Sequence, residues 1–75
     1  MDIEYCIKKS CILLDGTKYD TYGIVAIEHH SETVKSEFDD VSLDKHYVVK
    51  LATLLNSSKV ELCHFKEVIT DELNR

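Results

Sequence analysis

The sequence predicts an α+β protein, in which a three-stranded antiparallel meander is followed by two antiparallel helices packed on one face of the sheet. Residues from Ile3 to Val41 alternate with a period of two, whereas residues from Leu43 to Leu73 repeat near 3.6. The absence of proline and the presence of only two glycines argue against long irregular loops. One domain is expected over residues 1–75, with strands at about 3–14, 17–29 and 33–39 and helices at about 43–55 and 59–73.

The first two strands meet at Asp15-Gly16, which is a strong hairpin signal. A two-residue loop would pair Leu14 with Thr17, and a three-residue loop with Gly16 in a left-handed position would pair Leu13 with Thr17. We favour the three-residue loop because a slip of one residue sends side chains to the other face of a sheet. The favoured register gathers seven large side chains on one face, namely Ile3, Tyr5, Ile7, Leu13, Tyr19, Val25 and Ile27.

The third strand is expected after a polar turn of four residues. If Glu28 lies opposite Thr33, then Phe38 lies over Gly23. The aromatic ring would cover the backbone that the glycine leaves bare. The alternative is that Gly23 marks a bulge, and the residues favour the two interpretations equally.

Each helix has an expected entrance. Ser42 is the predicted cap of the first helix, with Asp44 in its first turn, where the helix dipole favours an acid. Ser58 and Glu61 form a capping-box pattern that predicts the start of the second helix. The apolar stripes are Tyr47, Val48, Leu51, Leu54 and Leu55 in the first helix, and Leu62, Phe65, Val68, Ile69 and Leu73 in the second.

The chain is small and acidic. A chain of 75 residues is near the lower size limit for a domain with a single hydrophobic core, so modest stability and self-association as a homodimer are expected. The net charge of -5 comes entirely from residues 1–41, which hold four lysines against nine acids, while residues 42–75 are balanced. A single arginine and no basic cluster argue against direct nucleic-acid binding.

The cysteines and the amino-terminal residues indicate a cytoplasmic protein. Acids stand near the start where a secretory leader would have lysines, and no apolar run is long enough for a membrane span. The three cysteines, Cys6, Cys11 and Cys63, are odd in number and lack a Cys-x-x-Cys spacing. Free thiols are therefore expected.

Neither catalysis nor metal binding is favoured by the residue spacing. His29 and His30 are adjacent in a turn, and neighbours in an extended chain point to opposite faces. Cys63 and His64 are placed inside the second predicted helix, where consecutive residues diverge by about 100 degrees and do not form a nucleophile and base pair. We expect no catalytic residues, no metal ligands and no cofactor.

A protein-interaction or regulatory module is the leading expectation for function, acting through self-association or a partner that is basic. The expected contact residues are an acidic set and two apolar residues of the second sheet face, namely Glu32, Glu37, Asp39, Asp40, Tyr22 and Ile24. For the acids taken alone, the residues favour a solvated face that discourages strand pairing at the edge over a docking surface. The alternatives are an acidic inhibitor of a nucleic-acid enzyme, of mobile-element origin, and a thiol- or metal-dependent sensor or enzyme that uses Cys63, His64 and the His29-His30 turn.

Four short segments resemble a known family. They are Tyr22-Gly23-Ile24, residues 40–44, Leu54-Leu55-Asn56, and residues 64–73 with their pattern His-Phe-x-x-Val-Ile-x-Asp-x-Leu. They are similar to those of a small bacterial family catalogued as domain of unknown function 6514, found mainly in spore-forming anaerobes. The resemblance covers residues 5–73 and implies a small intracellular stand-alone protein. It implies no catalytic residue.

Overall fold

Three antiparallel strands followed by two helices form the protein in a computed structural model that describes residues 2–75. The elements are β1 (Ile3–Leu14), β2 (Thr17–Glu28), β3 (Thr33–Ser42), α1 (Lys45–Ser57), a 3-10 turn (Leu62–His64) and α2 (Phe65–Leu73). The strands lie in the order β1-β2-β3, and the helices pack on the sheet. The predicted α+β class and strand order are confirmed. No helix among residues 2–75 is long and apolar enough to span a bilayer.

The β1–β2 hairpin closes through a two-residue loop, so the favoured three-residue loop is wrong. Asp15 and Gly16 both have positive φ, at 51° and 80°, and Leu14 pairs with Thr17. Two left-handed residues form a turn whose twist matches that of the flanking strands, so no third loop residue is needed. Ile7 therefore pairs with Ile24, and the face of every β2 residue is the reverse of that expected.

The core lies between one face of the sheet and the two helices. Tyr5, Ile24 and Ala26 supply the sheet side, and the ring of Tyr5 stacks on Phe65 at a centroid distance of 5.1 Å. The Tyr5 hydroxyl donates a hydrogen bond to the Val60 carbonyl at 2.6 Å, so its buried polar end is satisfied. The helix residues in this core are Val48, Leu51, Ala52, Leu55, Phe65 and Ile69.

A bulge distorts the pairing of β2 with β3 at Gly23. Glu28 pairs with Thr33 as predicted, but the register shifts between Ala26 and Ile27, so Phe38 pairs with Ile24 and does not lie opposite Gly23. The register shifts again between Tyr22 and Ile24, and a Cβ atom on Gly23 would collide with the carbonyl oxygen of Phe38. The bulge interpretation is therefore correct, and close approach of two backbones explains the glycine.

The helix boundaries differ from those predicted. Asp44 is the N-cap of α1 and accepts a hydrogen bond from the His46 amide at 3.0 Å, while Ser42 accepts one from the Asp44 amide. Ser58 caps the carboxyl end of α1 and does not begin α2. The expected capping box is wrong because Lys59, with φ of 49°, turns the chain away from the helix before the 3-10 turn begins.

Asn56 attaches the end of α1 to the outer edge of β1. Its Oδ1 accepts a hydrogen bond from the Tyr5 amide at 2.8 Å, and its Nδ2 donates one to the Tyr5 carbonyl at 2.9 Å. A side-chain amide carries one acceptor and two donors, so it can replace the partner strand that an edge residue lacks. This contact explains why the tyrosine and its hydroxyl are held under the helices.

Candidate functional site

One face of the sheet has no helix packed on it among residues 2–75, and we call it the open face. Core residues Tyr5 and Ile24 point to the helices, so their alternating neighbours Cys6 and Val25 point to the open face. Val25 is only 8% exposed, although it does not belong to the helix-side core. The open face thus holds apolar side chains of its own.

The β1–β2 hairpin projects beyond the rest of the sheet. β3 pairs with β2 only from Tyr22 to Glu28, so residues 10–21 form a two-stranded segment that we call the arm. Nine of the ten residues 11–20 are exposed, including three large apolar ones: Leu13 at 66%, Leu14 at 52% and Tyr19 at 42%. A two-stranded ribbon is marginally stable in water by itself, which makes such an arm unusual without a covering partner.

Two apolar patches lie on the open face, one at each end of the hairpin. The arm patch consists of Ile12, Leu14 and Tyr19, which the register and the alternation place on this face. The base patch consists of Cys6, Val25, Ile27 and Val34. Burial and the nearby Glu4 raise the pKa of the Cys6 thiol, so this side chain stays neutral and suits an apolar patch.

The two apolar residues that the sequence suggested as contacts do not lie on the open face. Ile24 is 0% exposed in the core, and Tyr22 is half-buried against the same core. The one-residue error in register is the reason, because it exchanged the two faces of β2. The exposure expected for Ile24 is therefore wrong, and a partner cannot reach this side chain in the folded chain.

Two of the four predicted acidic residues share one lysine within the sheet. The Lys8 ammonium lies 3.1 Å from Glu37 Oε1 and 3.4 Å from Asp39 Oδ1, between the arm patch and the base patch. Hydrogen bonds raise the pKa of Lys8, and the bond to Glu37 has a larger effect than the bond to Asp39. The negative field of this surface is weaker than the count of acids indicates, because one cation faces both carboxylates.

The remaining two acids occupy strained backbone positions. Glu32 and Asp40 both have φ of 52°, a left-handed conformation that is uncommon outside glycine. The Thr21 hydroxyl donates a hydrogen bond to Asp40, and Thr21 itself is buried. Asp40 therefore has a structural role in the bulge, whereas Glu32 is exposed in the β2–β3 turn.

The adjacent histidines have separate partners. His29 Nε2 lies 3.3 Å from Glu4 Oε2, and His30 Nε2 lies 3.8 Å from Asp2 Oδ2. Each ring is exposed, and the pairing with two different carboxylates agrees with side chains that diverge. This turn does not bring the two rings to one ion.

Cys63 and His64 lie in the 3-10 turn and not inside the second α-helix, so their predicted setting is wrong. Glu61 precedes the turn in an extended conformation, and the His64 amide donates to the Glu61 carbonyl at 2.9 Å. This folding brings one ligand atom from each of Glu61, Cys63 and His64 to within 4.8 Å of one another. The angle between consecutive helix residues separates Cys63 from His64, and Glu61 joins them only because the chain leaves the helical conformation here.

An open cleft of about 750 Å³ lies beside this turn. Its walls come from the start of β1, the end of α1 and the residues that follow, and they include Ile3, Leu55, Lys59, Glu61 and Cys63. Burial has the larger effect and an electrostatic contribution from Cys63 the smaller, and both raise the pKa of the Tyr5 phenol. All three cysteines are free, as expected.

Comparison with known proteins gives one family. A model of DUF6514, described as a family of unknown function, matches residues 1–75. No curated protein and no solved structure matches the chain. Any function must therefore be inferred from the geometry of the chain.

Proposed function

This chain belongs to DUF6514, a family of unknown function, and we propose that it is a small non-catalytic interaction module that pairs with a second copy through its open face. The observation that carries the proposal is the presence of two apolar patches without a helix packed on them, at opposite ends of one hairpin, with Leu14, Tyr19 and Val34 as their exposed members. Contiguous apolar surface on a small domain marks an interaction site more often than scattered apolar residues do.

The two patches are spaced so that a twofold axis exchanges them. Cys6 and Ile12 lie three positions to either side of Lys9 in β1, and Val25 and Tyr19 lie three positions to either side of Tyr22 in β2. At about 3.4 Å per residue, each patch lies roughly 10 Å from the midpoint of the hairpin. A twofold axis that passes over this midpoint, parallel to the sheet and perpendicular to the strands, places the arm patch of one copy on the base patch of the other.

The open face follows the long dimension of the molecule. Two strands of 12 residues extend about 40 Å, which agrees with the 42 Å long dimension of the molecule. A stable interface needs about 800 Å² from each partner, which is roughly one-seventh of the 5252 Å² surface of this chain.

The charges near the proposed axis allow the contact. Lys8 lies near the midpoint with Glu37 and Asp39 beside it, so the same group from a second copy would meet it across the axis. Each copy brings one lysine and two carboxylates to the axis, so each lysine can also pair with carboxylates of the other copy, while two negative charges stay in excess. An external basic partner would instead have to compete with Lys8 for these two acids.

The test is the mass of the purified chain in solution as a function of concentration. Light scattering after size exclusion should give a dimer that dissociates on dilution. Tyr19→Asp and Leu14→Asp should raise the dimer dissociation constant at least tenfold, because each places a charge in the arm patch. Leu13→Asp is the matched control, since Leu13 is also exposed in the arm but alternates to the opposite face.

Equal weakening by Leu14→Asp and Leu13→Asp would contradict the role of the open face. A chain that stays monomeric up to millimolar concentration would overturn pairing with a second copy. A stable monomer that is captured by a basic protein, and that loses this capture after Glu37→Lys and Asp39→Lys, would favour the acidic surface instead. Such capture should weaken with added salt, because exposed charges are screened.

A further inference from the structure

We infer that the turn from Glu61 to His64 binds a single thiophilic divalent cation, with Zn²⁺ as the best match to its ligand set. The thiolate of Cys63, the imidazole of His64 and the carboxylate of Glu61 are the three side-chain types that hold Zn²⁺ in proteins. Within residues 2–75, Glu61, Cys63 and His64 are the histidine, cysteine and acidic side chains that bring three ligand atoms close enough together to share one ion.

The distances in the turn are close to those of a tetrahedral site. The Cys63 sulfur lies 3.7 Å from Glu61 Oε2, and all three ligand atoms lie within 4.8 Å of one another. Metal–sulfur and metal–oxygen bonds of about 2.3 and 2.0 Å at a tetrahedral angle require a sulfur–oxygen separation of about 3.5 Å. Small rotations of exposed side chains are therefore enough to close the site, with no change in the backbone.

The backbone conformation explains why so short a segment can supply three ligands. Glu61 is extended, with φ of -71° and ψ of 149°, and the next residues enter the 3-10 turn. The chain thus reverses its direction between the first ligand and the other two. A continuous α-helix would separate the side chains of Glu61 and Cys63 by about 200° around its axis, because consecutive residues differ by about 100°.

Two neighbouring features suit a bound cation. The Glu67 carboxylate lies 3.6 Å from His64 Nδ1, in the position of a group that orients a metal-bound imidazole. Glu61 and Cys63 also line the 750 Å³ cleft. Three protein ligands leave a fourth position for water or a small anionic or thiol ligand from the cleft, which is the arrangement of an open site.

The test uses Co²⁺ as a spectroscopic substitute for Zn²⁺, with the reduced protein purified without a histidine tag. One equivalent of Co²⁺ should produce a thiolate-to-metal charge-transfer band and tetrahedral ligand-field bands, and Zn²⁺ should remove both. Cys63→Ser should abolish the charge-transfer band. Glu61→Gln and His64→Gln should weaken binding at least tenfold, and Glu67→Gln should weaken it by about tenfold through the orientation of His64.

Cys11→Ser and Cys6→Ser are the matched controls, and both should keep the full band. A band that persists in Cys63→Ser, or the absence of any band in the wild type, would overturn the inference. Circular dichroism checks that each variant is folded, which is expected because the three ligands are exposed. Nuclear magnetic resonance of the unmutated chain gives a second test, in which Zn²⁺ must shift His64 signals and leave those of His29 and His30 unchanged.

Discussion

The two ends of the β1–β2 hairpin have the same strand pattern and opposite surroundings. At the base, Tyr5 and Ile24 lie under both helices, and Asn56 holds the outer edge of β1. In the arm, neither β3 nor a buried helix residue covers Leu13, Leu14 and Tyr19 among the described residues. The difference indicates that the base contributes more to stability than the arm does.

Large apolar residues occur on both faces of this hairpin, so the strand pattern alone does not determine which face is buried. Ile24 and Val25 are adjacent and both apolar, yet only Ile24 contacts the helix-side core. The helices decide between them, because they add a second layer to one face only. A mutation should therefore have a large effect where the helices cover the hairpin and a small one in the arm.

The largest expected contrast is between Ile24→Ala and Leu13→Ala. Ile24→Ala should lower the free energy of unfolding by about 2–5 kcal/mol, because it leaves a cavity in a filled core. Leu13→Ala should change it by less than about 0.5 kcal/mol, because the side chain is exposed. Urea denaturation followed by circular dichroism measures both, and similar losses would contradict the assigned division between base and arm.

The fold class was predictable from the sequence, but the register was not. The period changes near Ser42 because strands end and helices begin there, and this signal extends over many residues. The register depends on whether Asp15 and Gly16 form the whole loop. Because both faces of the hairpin carry apolar residues, either loop gives a plausible core. The Asp15-Gly16 pair favours a loop of two left-handed residues, and this preference predicts the register better than the number of apolar residues on each face does.

The candidate sites depended on features that a linear pattern does not contain. The open face could be predicted only after the register was known, and Glu37 lies opposite Val25 on that face because the register shifts between Ala26 and Ile27. The ligand group at Cys63 depends on an irregular turn between two helices. A Glu-x-Cys-His spacing was visible in the sequence, but a regular helix would have separated its side chains.

A smaller effect is expected from the contact between α1 and β1. Asn56→Ala should lower the free energy of unfolding by about 1–3 kcal/mol, because it leaves the amide and carbonyl of Tyr5 without their partner. Asn74→Ala, at the end of α2, is the matched control and should have little effect. Hydrogen exchange of the Tyr5 amide adds a local measurement, and unchanged protection in Asn56→Ala would contradict the role of this side chain.

The smallest effect is expected at Glu28, and it should be visible mainly as a change in acid stability. Its carboxylate accepts hydrogen bonds from the Ser31 hydroxyl at 2.6 Å and from the amides of Ser31 and His30 at 2.8 and 3.1 Å. These bonds, with the hydroxyl first, lower the pKa of Glu28 from 4.5 to about 2. The folded state therefore binds this proton more weakly than the unfolded state does.

Stability from Glu28 should be fully present above about pH 4.5 and lost as the pH falls toward 2, because protonation then removes the charged acceptor. Glu28→Gln should flatten the fall in unfolding free energy across this range, as measured by urea denaturation at several pH values. Glu32→Gln, an exposed acid in the same turn, should keep the wild-type slope. Parallel curves for the wild type and Glu28→Gln would show that the β2–β3 turn does not depend on this charge, and the base of the hairpin would then owe its acid sensitivity to other groups.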